Sequence, residues 1–167
     1  MTYRKQLGHC KEDQIVGLGH KSAIATMVES KTRYTYVIFL KDRTSQTMTQ
    51  AEAKTLNILI PEAIKTTTYD NGMEMANHKW LTEYTGMNIY FSHPHSLWER
   101  GTNENTNGLI RRYFPKKTDF SNITKQQLKQ VQQQLNKRPR KVLGYKTPAY
   151  MLEIEINKIK YLNLKPN

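Results

Sequence analysis

The sequence predicts an α/β domain with a mixed sheet of five strands and helices on both faces. Three observations lead there. Three runs rich in β-branched or aromatic residues follow one another early in the chain with only short links. Helix-like and strand-like segments then alternate. The 167 residues, 37% of them hydrophobic, suffice for one domain with a modest core.

The first strand is read from Asp13, as the short run "DQIV" closed by Gly17 and Gly19. Residues 1–12, polar and without periodicity, are read as a tail or severed linker. "SAIATMVE" (22–29) and "YTYVIFL" (34–40), joined by the polar turn "SKTR", complete an antiparallel meander. "TSQTMTQAEAKTLNIL" reads as a helix capped by Thr44 or Ser45, with Met48, Ala51 and Leu59 near one face. "TTTY" (66–69) is strand-like, "MANHKWLTEYTG" helical with Gly86 as its stop, and "NIYF" (88–91) a strand. A loop, "SHPHSLWERG", leads into a helix from Thr102, and "TKQQLKQVQQQLNK" forms another. Residues 13–153 make up the core. The stretch 154–167 alternates Ile with Lys and Asn and reads as a loosely attached tail.

Charge narrows the function. Lys plus Arg total 26 against 14 Asp plus Glu, a formal net charge of +12. That excess predicts attraction to a polyanion, with nucleic acid the usual one. No run of 18 apolar residues, lipidation signal or signal-peptide centre is present, so no membrane partner is expected and the cytoplasm is the default location. The single cysteine, Cys10, allows neither a disulfide framework nor a cysteine-based zinc site.

Glu104 is the only acid from Gly101 to Lys117, upstream of a run of arginines and lysines. On a helical wheel Glu104, Asn107, Gly108 and Arg111 share one face, and Leu109, Ile110 and Tyr113 the other. If Thr102 caps the helix, Glu104 lies in its first turn and is stabilised there by the macrodipole. Asp70 ends the run "TTTYD" before Asn71-Gly72. Asn-Gly between strands signals a hairpin. The helical pattern that follows makes this a strand-to-helix turn, where open α/β sheets place ligand contacts. Asp13, by itself an ordinary polar flank, completes a chemical proposal. Hard divalent cations take carboxylate oxygens from several elements. Two such metals, roughly 4 Å apart, activate a water or sugar hydroxyl against a phosphodiester.

The residues then become recognisable. "YDNGMEMANH", "SHPHSLWERGTNENTNGLIRRYFPKKTDF" and "QLNKRPRKVLGYKTP" resemble the catalytic region of DDE transposases of the insertion sequence 30 type, within the ribonuclease H-like integrase superfamily. The resemblance runs from about Gly8 to Glu153 and implies a ribonuclease H-like sheet. It implies Asp13, Asp70 and Glu104 as catalytic residues and ligands of two Mg²⁺ ions, with Mn²⁺ able to substitute. The 33 residues between Asp70 and Glu104 suit the family. Arg111 falls where the family keeps a basic residue facing DNA. Implied partners are transposon ends and target DNA, with a homo-oligomer assembled on them in the bacterial nucleoid.

Two departures stand out. The family's "GHWEGD" is here "GHCKED", which makes Asp13 the expected outlier of the three, and its "SPW" is Ser96-Leu97-Trp98. The chain also starts just ahead of the catalytic region, where such transposases carry a helix-turn-helix. A catalytic core without that reader is therefore expected, or a truncated, inactive fragment that only binds DNA or a partner.

Other cations are candidates for phosphate contact: Arg112, Lys116, Lys117, and the cluster Lys137, Arg138, Arg140 and Lys141, whose alternative is a solvated helix end. His93 and His95 form either a metal pair or, with Pro94 between them, a polar loop. Trp98 either stacks on a base or packs under its loop. The tyrosines are scattered, several of them in strands, which argues against a tyrosine recombinase nucleophile.

Overall fold

The computed structural model describes residues 5–57, 63–69, 77–92 and 97–164, the side chains of 97–103 excepted. The strands are β1 (His9–Val16), β2 (Ala23–Glu29), β3 (Thr35–Leu40), β4 (Thr66–Tyr69) and β5 (Asn88–Phe91). The helices are α1 (Ser45–Leu56), α2 (His78–Thr85), α3 (Leu97–Ile110), α4 (Lys125–Lys137) and α5 (Pro148–Asn163). The strand order is β3-β2-β1-β4-β5. β1, β2 and β3 pair antiparallel, whereas β4 runs parallel to both β1 and β5. This is the expected mixed five-stranded sheet.

Helices cover both faces. Cys10, Ala25, Met27, Ile38 and Tyr69 form one core with Met48 of α1 and Leu81 of α2. Ile15, Ile24 and Val37 form the other with Ile110, Phe114, Phe120 and the α4 residues Leu128, Val131 and Leu135. β2, second in the order, is buried at every position. Local signals place the helix starts. Thr44 caps α1, Thr124 and Gln127 form a capping box on α4, and Thr147 caps α5 with Pro148 next. Gly86 ends α2 in the left-handed conformation, as its position predicted.

Both tails expected from the sequence are partly built into the fold. β1 begins at His9, so residues 9–12 are strand and not linker. The alternation was hidden because the inward position after Cys10 holds a glutamate, Glu12, fully buried. At the other end, α5 runs unbroken to Asn163. Leu152 packs with Leu7 and Ala63, Ile156 and Ile159 join them, and the Glu155 carboxylate accepts from Lys31 Nζ at 2.5 Å. The spacing of Leu152, Ile156 and Ile159 is helical, and the Thr-Pro cap was the available signal.

The edge strand β3 is held by α4. Asn136 Oδ1 accepts from Thr35 N–H at 2.9 Å, and Asn136 Nδ2 donates to the Thr35 carbonyl at 2.7 Å. Both residues are buried. Asn136→Ala would strand two buried backbone groups. The expected loss is about 2–4 kcal/mol, read as a lower urea midpoint.

Behind β1, Glu12 and Glu52 are buried together, and Tyr69 Oη donates to Glu52 Oε2 at 2.5 Å. Burial pushes the Glu12 carboxyl well above the ordinary carboxylate range, and the charge of Glu52 adds to it. Burial raises Glu52 as well, against the lowering hydrogen bonds of Glu12 and Tyr69. A carboxyl raised on folding favours the folded state below its unfolded value near about 4.3, and that contribution is lost as pH climbs through the folded value. Glu12→Gln should therefore stabilise the protein at neutral pH, by on the order of 1–3 kcal/mol. The gain should vanish at pH about 4. Denaturant midpoints measured across that range check it.

Candidate functional site

Alternation along β1 sends Glu12 to the α1 side and Asp13 to the other, where Ile15 already packs beneath α3 and α4. Asp13 meets α3 there. Asn107 Nδ2 donates to Asp13 Oδ2 at 2.6 Å, and the Gln14 amide donates to Asp13 Oδ1 at 2.8 Å. Thr26 Oγ1, on the neighbouring strand, lies 3.3 Å from the Asp13 carbonyl and 3.5 Å from Asn107 Oδ1. Each oxygen of the Asp13 carboxylate thus accepts one of these two bonds. The altered "HCKED" approach leaves Asp13 facing α3.

Glu104 lies one turn before Asn107 on the same face of α3 and is exposed. Its setting differs from the expected one. α3 starts at Leu97, so Thr102 is not its cap and Glu104 sits about two turns inside the helix. The macrodipole acts within the first turn and gives no reason for an acid here. The sequence-based boundary failed because "SLWERG" carries a glycine that reads as a break.

Arg111 continues the same face one turn beyond Asn107. Its Nη2 donates to the Val16 carbonyl at 3.0 Å and its Nη1 to the Pro115 carbonyl at 3.2 Å. Asn107 and Arg111 thus fasten α3 to β1 at two points, Asp13 and Val16. Asn107 fell on the Glu104 face of the wheel, but the sequence offered no role for it.

Asp70 lies outside the described residues, as do His93 and His95; the Trp98 side chain is not described. Tyr69 pairs with Glu12 in the parallel ladder of β4 and β1. Asp70 and Asp13 are the next residues in sequence after that pair. Among the described residues no group of three or more His, Cys, Asp or Glu could hold a metal ion. Asp13 and Glu104 contribute hard oxygen donors, the type that suits Mg²⁺.

The candidate cations divide into two sets. Arg112, Lys116, Lys117, Lys137, Arg138 and Lys141 are exposed. Arg140 is half-buried, and its Nη2 donates to the Leu135 carbonyl at 3.2 Å at the end of α4. With Arg111 it has a structural duty that the sequence did not reveal. No described helix is long and apolar enough to cross a membrane.

No protein-family model matches the chain. It is 47% identical over 150 residues to the transposase InsI of insertion sequence element IS30A from Escherichia coli, covering 90% of this chain and 39% of that protein. It is 41% identical over 145 residues to the transposase of insertion sequence element IS1086 from Cupriavidus metallidurans, covering 87% of this chain and 43% of that one. The chain thus spans about two-fifths of the length of these relatives. A crystal structure of the catalytic core domain of BIV integrase superposes with a TM-score of 0.67 at 18% identity, covering 92% of this chain and 97% of that one. Over 90% of its own length the chain is similar to the IS30A transposase of Escherichia coli, and its mixed sheet has the ribonuclease H-like fold of the BIV integrase catalytic core.

Proposed function

We propose that this chain is the catalytic core of a DNA transposase, performing metal-assisted phosphoryl transfer at transposon ends. The observation that carries the reading is the 2.6 Å contact from Asn107 to Asp13, which seats the Glu104 face of α3 on the strand bearing Asp13. The relationship to transposases at 47% identity supports it.

Asp13, Asp70 and Glu104 are the proposed ligands, oxygen donors from three parts of the chain suited to two Mg²⁺ ions, with Mn²⁺ able to substitute. Bound there, the ions would supply Lewis acidity to the scissile phosphodiester and lower the pKa of the attacking water. Asn107 holds one oxygen of Asp13 and so orients the carboxylate. Arg111 keeps α3 in register with β1 through the Val16 carbonyl. In the first step a water oxygen bonds to phosphorus and the P–O3′ bond at the transposon end breaks, its oxygen leaving as the 3′-hydroxyl. In the second, that 3′-oxygen bonds to a target phosphorus and the target strand's own 3′-oxygen leaves. A homo-oligomer on DNA would bring two ends to one target.

Glu104→Gln keeps shape and deletes one anionic ligand. Metal-dependent cleavage of an end-containing duplex should fall by more than about a hundredfold, and by about 10–100-fold in Asn107→Ala, which loses only the orienting bond. Equal cleavage by parent and Glu104→Gln at saturating Mg²⁺ would sink the assignment. A parent that binds DNA but cleaves it with neither Mg²⁺ nor Mn²⁺ would instead be a DNA-binding protein without turnover.

Binding by this isolated chain should be nearly independent of sequence and steep in salt, because its exposed cations suit phosphates. Removing Arg112, Lys116 or Lys117 singly should lower the salt slope by about one each. Arg140→Ala should lower thermal stability instead, since its guanidinium holds the end of α4. Salt titrations with a terminal-repeat duplex and a scrambled one give both readings. A preference above roughly a thousandfold would mean that this chain itself reads bases.

A further inference from the structure

Between α1 and α4 the sheet ends in a groove of about 550 Å³ floored by β3. Lys41, Lys54, Lys125 and Lys129 line it, all exposed, and no carboxylate is among its lining residues. These lysines come from three parts of the fold. Lys54 is on α1, Lys125 and Lys129 are on α4, and Lys41 follows β3 directly.

Antiparallel pairing with β2 turns the backbone of alternate β3 residues away from the sheet. Thr35 and Val37 are two of them, since their amides are held from outside by Asn136 and by Gln132 Oε1, the latter at 2.8 Å. Phe39 is the third. Beyond Gln132 the edge stays open: among the described residues no protein group meets the Val37 carbonyl or the Phe39 N–H and carbonyl. The groove therefore offers one donor and two acceptors of strand type, with apolar Ala51 and Leu128 on its two sides and cations around it.

We propose that this edge binds an extended acidic segment of a partner protein, added beside β3 as a short sixth strand with its carboxylates on the lysines. Charge and hydrogen bonding together select that occupant. A phosphodiester backbone could meet the lysines and the Phe39 N–H, but it has no donor for the two outward carbonyls. A second copy of this chain would set four more lysines against these four, in a protein of net charge +12. A peptide backbone supplies both donors and acceptors, and acidic side chains answer the cations.

The probe is the capped hexapeptide acetyl-Asp-Asp-Val-Asp-Asp-Val-amide, which presents acids on both sides of an extended strand. Titrated into the ¹⁵N-labelled chain, it should shift the Phe39 and Lys41 amides and slow hydrogen exchange at Phe39. The double variant Lys54→Glu/Lys129→Glu should bind it about tenfold or more weaker. Lys54→Arg/Lys129→Arg should retain it, which separates charge from damage to the fold. A peptide N-methylated at alternate amides should fail to bind. Equal binding of the N-methylated peptide would overturn strand addition, and so would the absence of any Phe39 response at millimolar peptide. A short DNA duplex that displaces the peptide and protects Phe39 would make the groove a phosphate track. Self-association that protects Phe39 without peptide would make it a contact between copies. Either result would also overturn the proposal.

Discussion

β1 is the middle strand of five, antiparallel to one neighbour and parallel to the other, and helices cover both of its faces. Side chains alternate strictly on such a strand. Two adjacent carboxylates, Glu12 and Asp13, therefore enter opposite environments. Glu12 goes into a dry layer with Glu52 and Tyr69, where burial favours its protonated form. Asp13 goes to the α3 side, where the Asn107 amide and the Gln14 backbone N–H donate to its carboxylate. A register slip of one residue would exchange the two and place the acid meant for polar chemistry in the hydrophobic core.

The same strand positions the helix. α3 is tied down at Asp13 through Asn107 and at Val16 through Arg111, while its opposite side sinks Ile110 into the second core. Polar fastening alone would be weak and apolar packing alone would leave rotation about the helix axis open. Together they fix which side of α3 carries Glu104. The cations around it then differ in setting: Arg111 and Arg140 satisfy carbonyls at the ends of elements, whereas Arg112, Lys116, Lys117, Lys137, Arg138 and Lys141 are exposed.

Much of the architecture was legible because periodicity and caps are local. β2, β3, β4 and β5 follow β-branched or aromatic runs, Thr44 and Gly86 mark a helix start and a helix stop, and Thr124 with Gln127 forms a capping box. The misreadings were also local in origin. Glu12 at an inward position disguised the first half of β1, and Gly101 made the first turn of α3 look like a loop. α5 passed for a tail because its apolar residues are diluted by lysine and asparagine, although their spacing is helical. Glu12, unfavourable in a strand by propensity, is carried by tertiary packing that the window around it does not contain.

By itself the sequence determined the element types, the excess of positive charge and the membership of Glu104, Asn107 and Arg111 in one helical face, because these depend only on residue identity and backbone period. Their partners across the fold were beyond its reach. That Asn107 answers Asp13 across 94 positions, that Arg111 serves the Val16 carbonyl, and that Asn136 closes the edge of β3 depend on which helix crosses which strand. Sheet order and helix docking are long-range outcomes, decided by burying two apolar faces at once. Only the tertiary structure could decide which polar groups meet there.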